Sequence, residues 1–191
     1  MAESSSMLPL GSPLPAIRLK NAVDGSPVDV AAIAAGKRGA LVLFICNHCP
    51  FVVHVRKVLV NLAHEAIDKG FAVVAINSND VQTYPQDGPD AMAKLARDEG
   101  WRFPFLFDAT QAIARVMKAQ CTPDLYLFGA DGKLAYRGQL DDSRPSNGKP
   151  VTGRDLRAAI DAVASGRAPS LDQTPSVGCG IKWRAGGGTS G

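Results

Sequence analysis

The stretch LVLFICNHCPFVVHV, Leu41 to Val55, carries two cysteines three positions apart where an apolar run meets a helical pattern. Ala40 to Ile45 shows no polar alternation, as expected of a strand covered on both faces, and FAVVAI, Phe71 to Ile76, repeats it. Between them Val55, Val58, Leu59, Leu62 and Ala66 recur at helical spacing. His54, Lys57, Asn61, His64, Glu65 and Asp68 form the opposite polar stripe, read as solvated, and Gly70 supplies a stop. The unit reads as strand, helix, strand, with its buried strands parallel. The chain is therefore expected to be α/β, with both thiols at a strand-to-helix junction.

Outward from this unit the alternation continues. AIRLKNAVDGSPVDV alternates around Asp24-Gly25, which predicts a hairpin ahead of the main body. Ala91 to Glu99 reads as a helix, FPFLFD as a short strand and Thr110 to Gln120 as another helix. DLYLFGADGKLAYRGQL reads as a hairpin around Asp131-Gly132, an antiparallel edge. A last helix opens with a capping-box-like Thr152 and Asp155, and buries Leu156, Ala159, Ile160 and Val163 before Gly166. Residues 1–12 and the Gly-rich 184–191 are expected to fray, which leaves one domain over 13–183.

Composition narrows the function. The 191 residues are 46% hydrophobic, enough for one domain with a core. The net charge of +3 comes with no basic run interleaved with aromatics, so nucleic acid is not an expected partner. The N-terminus has no secretory pattern and no apolar run reaches transmembrane length; no membrane partner and a cytoplasmic location are expected. Four cysteines are too few for a disulfide scaffold, which leaves metal or redox chemistry.

With the strand ending near Ile45 and the helix starting near Pro50, Cys46 and Cys49 fall at a helix N-terminus, where free N–H groups and the macrodipole favour an anion. A histidine between them, His48, further lowers a thiol pKa, from about 8.5 into the range of roughly 3.5 to 7.5. Thiols at this spacing can close a small disulfide, so one attacks and the other resolves. Cys46, expected to be the more exposed at the helix tip, is assigned the attack, and Cys49, one turn inside, the resolution. A stabilised Cys46 thiolate makes the pair more oxidising. The competing reading of a C-x-x-C is a zinc corner, which Cys121 and Cys179 would complete.

CNHC after a buried strand, followed by CTPDLYLF and DGKLAYRG, resembles the thioredoxin superfamily. More narrowly, AINSND, TYPQDGPDAM, FPFLFDATQ, YRGQLDDSRP, VTGRDLRAAIDA and PSVGCGIKW resemble a peroxiredoxin-like redoxin family, over most of Leu10 to Trp183. The resemblance implies a central mixed sheet flanked by helices, with a cis-proline loop facing the dithiol. Pro123 matches that proline, and the Thr122 backbone would pair with a substrate peptide as a strand does. The chain departs from its relatives at Ile45, in place of a tryptophan, and at Ala40, in place of a buried acid. With Cys49 aligned to a peroxidatic cysteine, Val42 and Cys46 stand where peroxiredoxins carry proline and threonine.

The leading expectation is a thiol-disulfide oxidoreductase with catalytic Cys46, Cys49 and His48, substrate contacts at Thr122 and Pro123, and no organic cofactor or resident metal. Its partners would be protein or small-molecule disulfides and thiols, with a thioredoxin or glutathione system as electron donor. The alternatives are a thiol peroxidase and a zinc- or copper-binding protein of this fold. Cys121 is either a further redox thiol or a buried inert cysteine; Cys179 either covers the site and exchanges with Cys46 or anchors the tail.

Overall fold

The computed structural model describes residues 2–185. In chain order its elements are β1 (Ala2–Ser4), β2 (Arg18–Asn21), β3 (Pro27–Asp29), α1 (Val30–Ala34), β4 (Gly39–Phe44), α2 (Pro50–Asp68) and β5 (Ala72–Asn77), then a 3-10 turn (Pro85–Asp87). There follow α3 (Pro89–Asp98), β6 (Phe105–Phe107), α4 (Ala112–Val116), β7 (Cys121–Thr122), β8 (Asp124–Gly129), β9 (Leu134–Gly138), α5 (Arg154–Ala164) and β10 (Val177–Gly180).

The main sheet has the order β3-β2-β6-β5-β4-β8-β9. β4 pairs parallel with β5, in the register Val42↔Val74, and antiparallel with β8, in the register Phe44↔Asp124. Alternation along β4 explains its unbroken apolar run. Leu41 and Leu43 enter the core under α2 and α5, with Leu59, Leu62, Leu156 and Ile160, while Val42 and Phe44 enter the opposite core with Ile17, Met117 and Tyr126. The hairpins at Asp24-Gly25 and Asp131-Gly132 form as β2–β3 and β8–β9. No described helix is long and apolar enough to cross a membrane.

Three local expectations change. Ala2–Ser4, expected to fray, forms β1 against β10, and Leu8 packs into the core. Backbone groups alone make that pairing, so no apolar pattern announces it. Arg184 N–H donates to the Gln111 side chain at 3.0 Å, while 186–191 lie outside the described residues. The helix expected over Thr110–Gln120 is held to Ala112–Val116 by left-handed backbone at Gln111 and Lys118. No capping box opens α5: its N-cap is Gly153, and Asp141 Oδ2 takes the Thr152 and Gly153 N–H groups, both at 2.6 Å.

Two features make testable demands. A Cβ on Gly39, at φ +147°, would lie 1.9 Å from the Phe128 carbonyl oxygen, inside the β4–β8 ladder. Gly39→Ala is expected to cost at least ~2 kcal/mol, read as a lower denaturation midpoint. Asp124 is fully buried, accepts from Tyr126 Oη at 2.9 Å and Ser5 Oγ at 3.1 Å, and burial pushes its pKa up to about 6. An acid with a folded pKa above its unfolded one adds stability at low pH, lost as pH rises through the folded value. Stability is therefore expected to fall between pH 4 and 6, by on the order of 3 kcal/mol at most from this group. Chemical denaturation across that range should show the slope weakened in Asp124→Asn.

Candidate active site

β4 delivers the chain to Ile45, whose N–H still donates to the Ile76 carbonyl, and there the ladder ends. Cys46, Asn47 and His48 cross to Cys49, which is the N-cap of α2. Pro50 takes the first helical position, where its missing N–H costs nothing, so the first amides free for a ligand are those of Phe51 and Val52. This places the thiols differently from expectation. Cys49 caps the helix instead of lying a turn inside it, and Cys46 precedes it. Both are closed off, at 1% and 0% exposure, so access does not rank them.

β7 faces this turn. Cys46 Sγ lies 3.5 Å from Thr122 Oγ1, and Cys49 Sγ lies 3.1 Å from the Thr122 carbonyl, which accepts from it when the thiol is protonated. The Thr122-Pro123 peptide is cis, as the resemblance implies.

The two thiols are shifted in opposite directions. The pKa of Cys49 is held down to about 4, first by the Cys46 thiol donating to it, and further by Cys179, Thr122 and the Val52 N–H, with burial opposing. Cys46 moves the other way, pushed up by the proton it shares with Cys49, by burial and by the Asp87 carboxylate. The end of the helix, where the free amides are, is thus at Cys49, with Cys46 in the turn before it.

His48 explains part of this. Its Nδ1 lies 2.5 Å from Asp87 Oδ2 and 4.0 Å from Cys46 Sγ, so its nearest partner is the carboxylate, and its ring stacks on Tyr84 with centroids 5.2 Å apart. Asp87, fully buried, accepts from the N–H groups of Asn47 (2.9 Å) and His48 (3.2 Å) and from Asn79 Nδ2 (2.9 Å). Asn79 Oδ1 in turn accepts from the Lys182 N–H at 2.9 Å. Asp87, Asn79 and Tyr84 escaped the residue-by-residue reading. Their signal was present in the quoted stretches AINSND and TYPQDGPDAM, which carry them.

The Thr122 edge is not open to a peptide. β10 pairs antiparallel with β7 there, with Cys179 opposite Thr122 and Gly180 opposite Cys121. The cleft beside Pro123, walled by Phe51, Val55, Ser176 and Val177, holds about 10 Å³, room for roughly one water. Paired residues of antiparallel strands share a face, so Thr122 and Cys179 stand on one side and Cys121 on the other. Cys121 is buried, donates to the Pro123 carbonyl at 3.6 Å, and is kept protonated by burial first and Asp124 second. That separation removes the four-cysteine zinc set. A different donor set is collected: Cys46 Sγ, His48 Nδ1 and an Asp87 oxygen lie within 4.8 Å of one another and could hold a cation.

His54 and His64, read as solvated, are half-buried and engaged. His54 Nε2 meets Ser143 Oγ at 2.8 Å, and His64 Nε2 accepts the Arg102 N–H at 3.2 Å. Both anchor α2 to neighbouring loops.

Solved structures share this arrangement of elements. An uncharacterized conserved protein from Geobacillus kaustophilus is 49% identical, with 96% of this chain and 97% of that one covered at a TM-score of 0.93. A hypothetical protein from Sinorhizobium meliloti 1021 is 43% identical, covering 96% and 99% at a TM-score of 0.92. A secreted disulfide oxidoreductase of Mycobacterium tuberculosis, 20% identical, matches in fold alone, covering 76% and 95% at a TM-score of 0.57. No curated protein matches the sequence. The model of the Redoxin family matches residues 9–155, and with its dithiol turn facing a cis proline on a thioredoxin-like sheet, the chain belongs to the redoxin family.

Proposed function

We propose that this redoxin is a thiol-disulfide oxidoreductase that cycles Cys46 and Cys49 between dithiol and disulfide. One observation carries the reading: two thiols three positions apart meet at the start of α2, Cys49 as its N-cap with its pKa held down, and both reach the residue before the cis proline, Cys46 Sγ at 3.5 Å from the Thr122 hydroxyl and Cys49 Sγ at 3.1 Å from the Thr122 carbonyl. A disulfide exchange site needs such a nucleophile near neutral pH.

In the reducing direction the shared proton passes from Cys46 to Cys49, and Cys46, the sulfur beside His48, attacks one sulfur of the substrate disulfide. The other substrate sulfur leaves with the electron pair. Cys49 gives its proton to the departed substrate thiolate and attacks Cys46 Sγ; the second substrate sulfur leaves with the electron pair as a thiolate, and the Cys46–Cys49 disulfide closes. His48, held by Asp87 and Tyr84, is a positioning residue that fixes the turn carrying Cys46. Every electron moves between sulfurs, so no organic cofactor takes part. A thioredoxin or glutathione system of the cytoplasm is the proposed donor, with protein or small-molecule disulfides as substrates.

A metal-binding reading is favoured by the Cys46, His48 and Asp87 donor set. Native mass spectrometry of protein incubated with zinc or copper ions separates the two. A stoichiometric ion that silences thiol reactivity would displace the redox reading.

Two outcomes are expected. Thiolate ultraviolet absorbance of the reduced protein should show one cysteine ionising near pH 4; Cys49→Ala should remove it, and Cys46→Ala, which deletes the main stabilising donor, should shift it upward. With dithiothreitol as electron source, turnover of a peptide disulfide should drop at least ~100-fold in either variant, since an exchange cycle needs both sulfurs. Efficient consumption of hydrogen peroxide with no disulfide turnover would favour the peroxidase reading instead.

A further inference from the structure

Cys179 has no part in that two-thiol cycle, yet the fold delivers it to the dithiol. It is the only one of the four cysteines that is not buried. Its register with Thr122 puts it on the face of the Thr122 hydroxyl, which is itself 3.5 Å from Cys46 Sγ. Cys49 Sγ reaches the same residue, 3.1 Å from the Thr122 carbonyl, so both thiols meet at Thr122; Cys179 helps to hold the Cys49 thiol down, while burial first and Cys49 second push its own up.

The strand that carries Cys179 is seated for close approach. A Cβ on Gly178 would stand 2.0 Å from the Thr122 carbonyl oxygen, so only glycine lets β10 come this near β7. On either side of β10 the Ser176 carbonyl accepts from the Ser5 N–H at 2.9 Å, and the Lys182 N–H is tied to Asn79. β10 thus fills the edge that a substrate peptide would need and offers a cysteine there.

We propose that Cys179 is an internal third redox thiol, standing where a substrate cysteine would and exchanging with Cys49 instead of Cys46. The proposal rests on the oxidoreductase reading. Starting from the Cys46–Cys49 disulfide, the Cys179 thiolate attacks Cys49 Sγ. The Cys49–Cys179 bond forms as the Cys46–Cys49 bond breaks, and Cys46 leaves with the electron pair and takes up the proton that Cys179 gave away. The step is an isomerisation with no net oxidant or reductant. It frees Cys46 beside His48 while the site stays oxidised, and it moves the oxidising equivalent to the more accessible sulfur.

The test treats Cys46→Ser with oxidised glutathione and reads the products by mass spectrometry with peptide mapping. Cys49 attacks glutathione disulfide and releases one glutathione; Cys179 then attacks Cys49 Sγ and releases the second. The expected product is unmodified in mass except for the loss of two hydrogens, with Cys49 linked to Cys179, while Cys46→Ser/Cys179→Ser keeps the glutathione adduct. A persistent adduct in the single variant, with no internal bond, overturns the proposal. Cys46→Ala provides the same readout should the serine variant misfold. Wild type separates the two claims: failure to form a Cys46–Cys49 bond there sinks the oxidoreductase reading, whereas a normal bond there with none between Cys49 and Cys179 in the variants sinks only the third thiol.

Discussion

A negative charge on a sulfur with no exposure to solvent is the constraint around which this molecule is arranged. Cys49 is fully buried, so stabilisation of its thiolate must come from the protein: the Cys46 thiol, the Cys179 thiol, the Thr122 hydroxyl and the Val52 amide. Each comes from a different element. The turn after β4, the cis-proline strand β7, the C-terminal strand β10 and the first turn of α2 therefore have to meet at one point. The parallel βαβ unit supplies the scaffold, because it ends a buried strand and starts a helix within a few residues.

Asp87 balances that arrangement. By accepting the amides of Asn47 and His48 it fixes the turn, and by adding negative charge beside Cys46 it keeps the proton of the pair on that side. Ala40 on β4 offers no acid to the thiols; the buried carboxylate beside Cys46 lies in the 3-10 turn after β5. Through Asn79 the same carboxylate is linked to the C-terminal segment at Lys182. The dithiol turn and the strand bearing Cys179 thus share one hydrogen-bond network, so a change in either is felt by the other.

What could be read in the sequence was whatever has a local period or a local turn chemistry. The apolar runs at Ala40–Ile45 and Phe71–Ile76, the stripe on α2 and the Asp-Gly hairpins are of this kind, and they placed Cys46 and Cys49 at the strand-to-helix junction. Asp87 could not be found that way, since its partners lie 39 and 40 residues away and it sits in a turn with no pattern of its own. β1 and β10 were hidden for another reason. Ala2–Ser4 and Val177–Gly180 pair through backbone groups, and their small or polar residues show no face. Because β10 was invisible, Thr122 was read as an open substrate edge, and Cys179 was left between covering the site and anchoring the tail. The helix start near Pro50 was legible and is where the structure has it; it makes Cys49 the cap and leaves Cys46 in the preceding turn, so neither thiol lies a turn inside the helix.

The central claim is that Cys46 and Cys49 form a reversible redox pair whose reduced form is stabilised by the anion at the helix cap. A glutathione redox titration of the wild-type protein, with the Cys46–Cys49 linkage quantified by mass spectrometry at each point, tests it most directly. The account predicts a two-electron transition with a potential less negative than about −270 mV, the value for thioredoxin, whose reactive thiol is lowered only to about 7. A Cys46–Cys49 bond that never forms across the titration would contradict it.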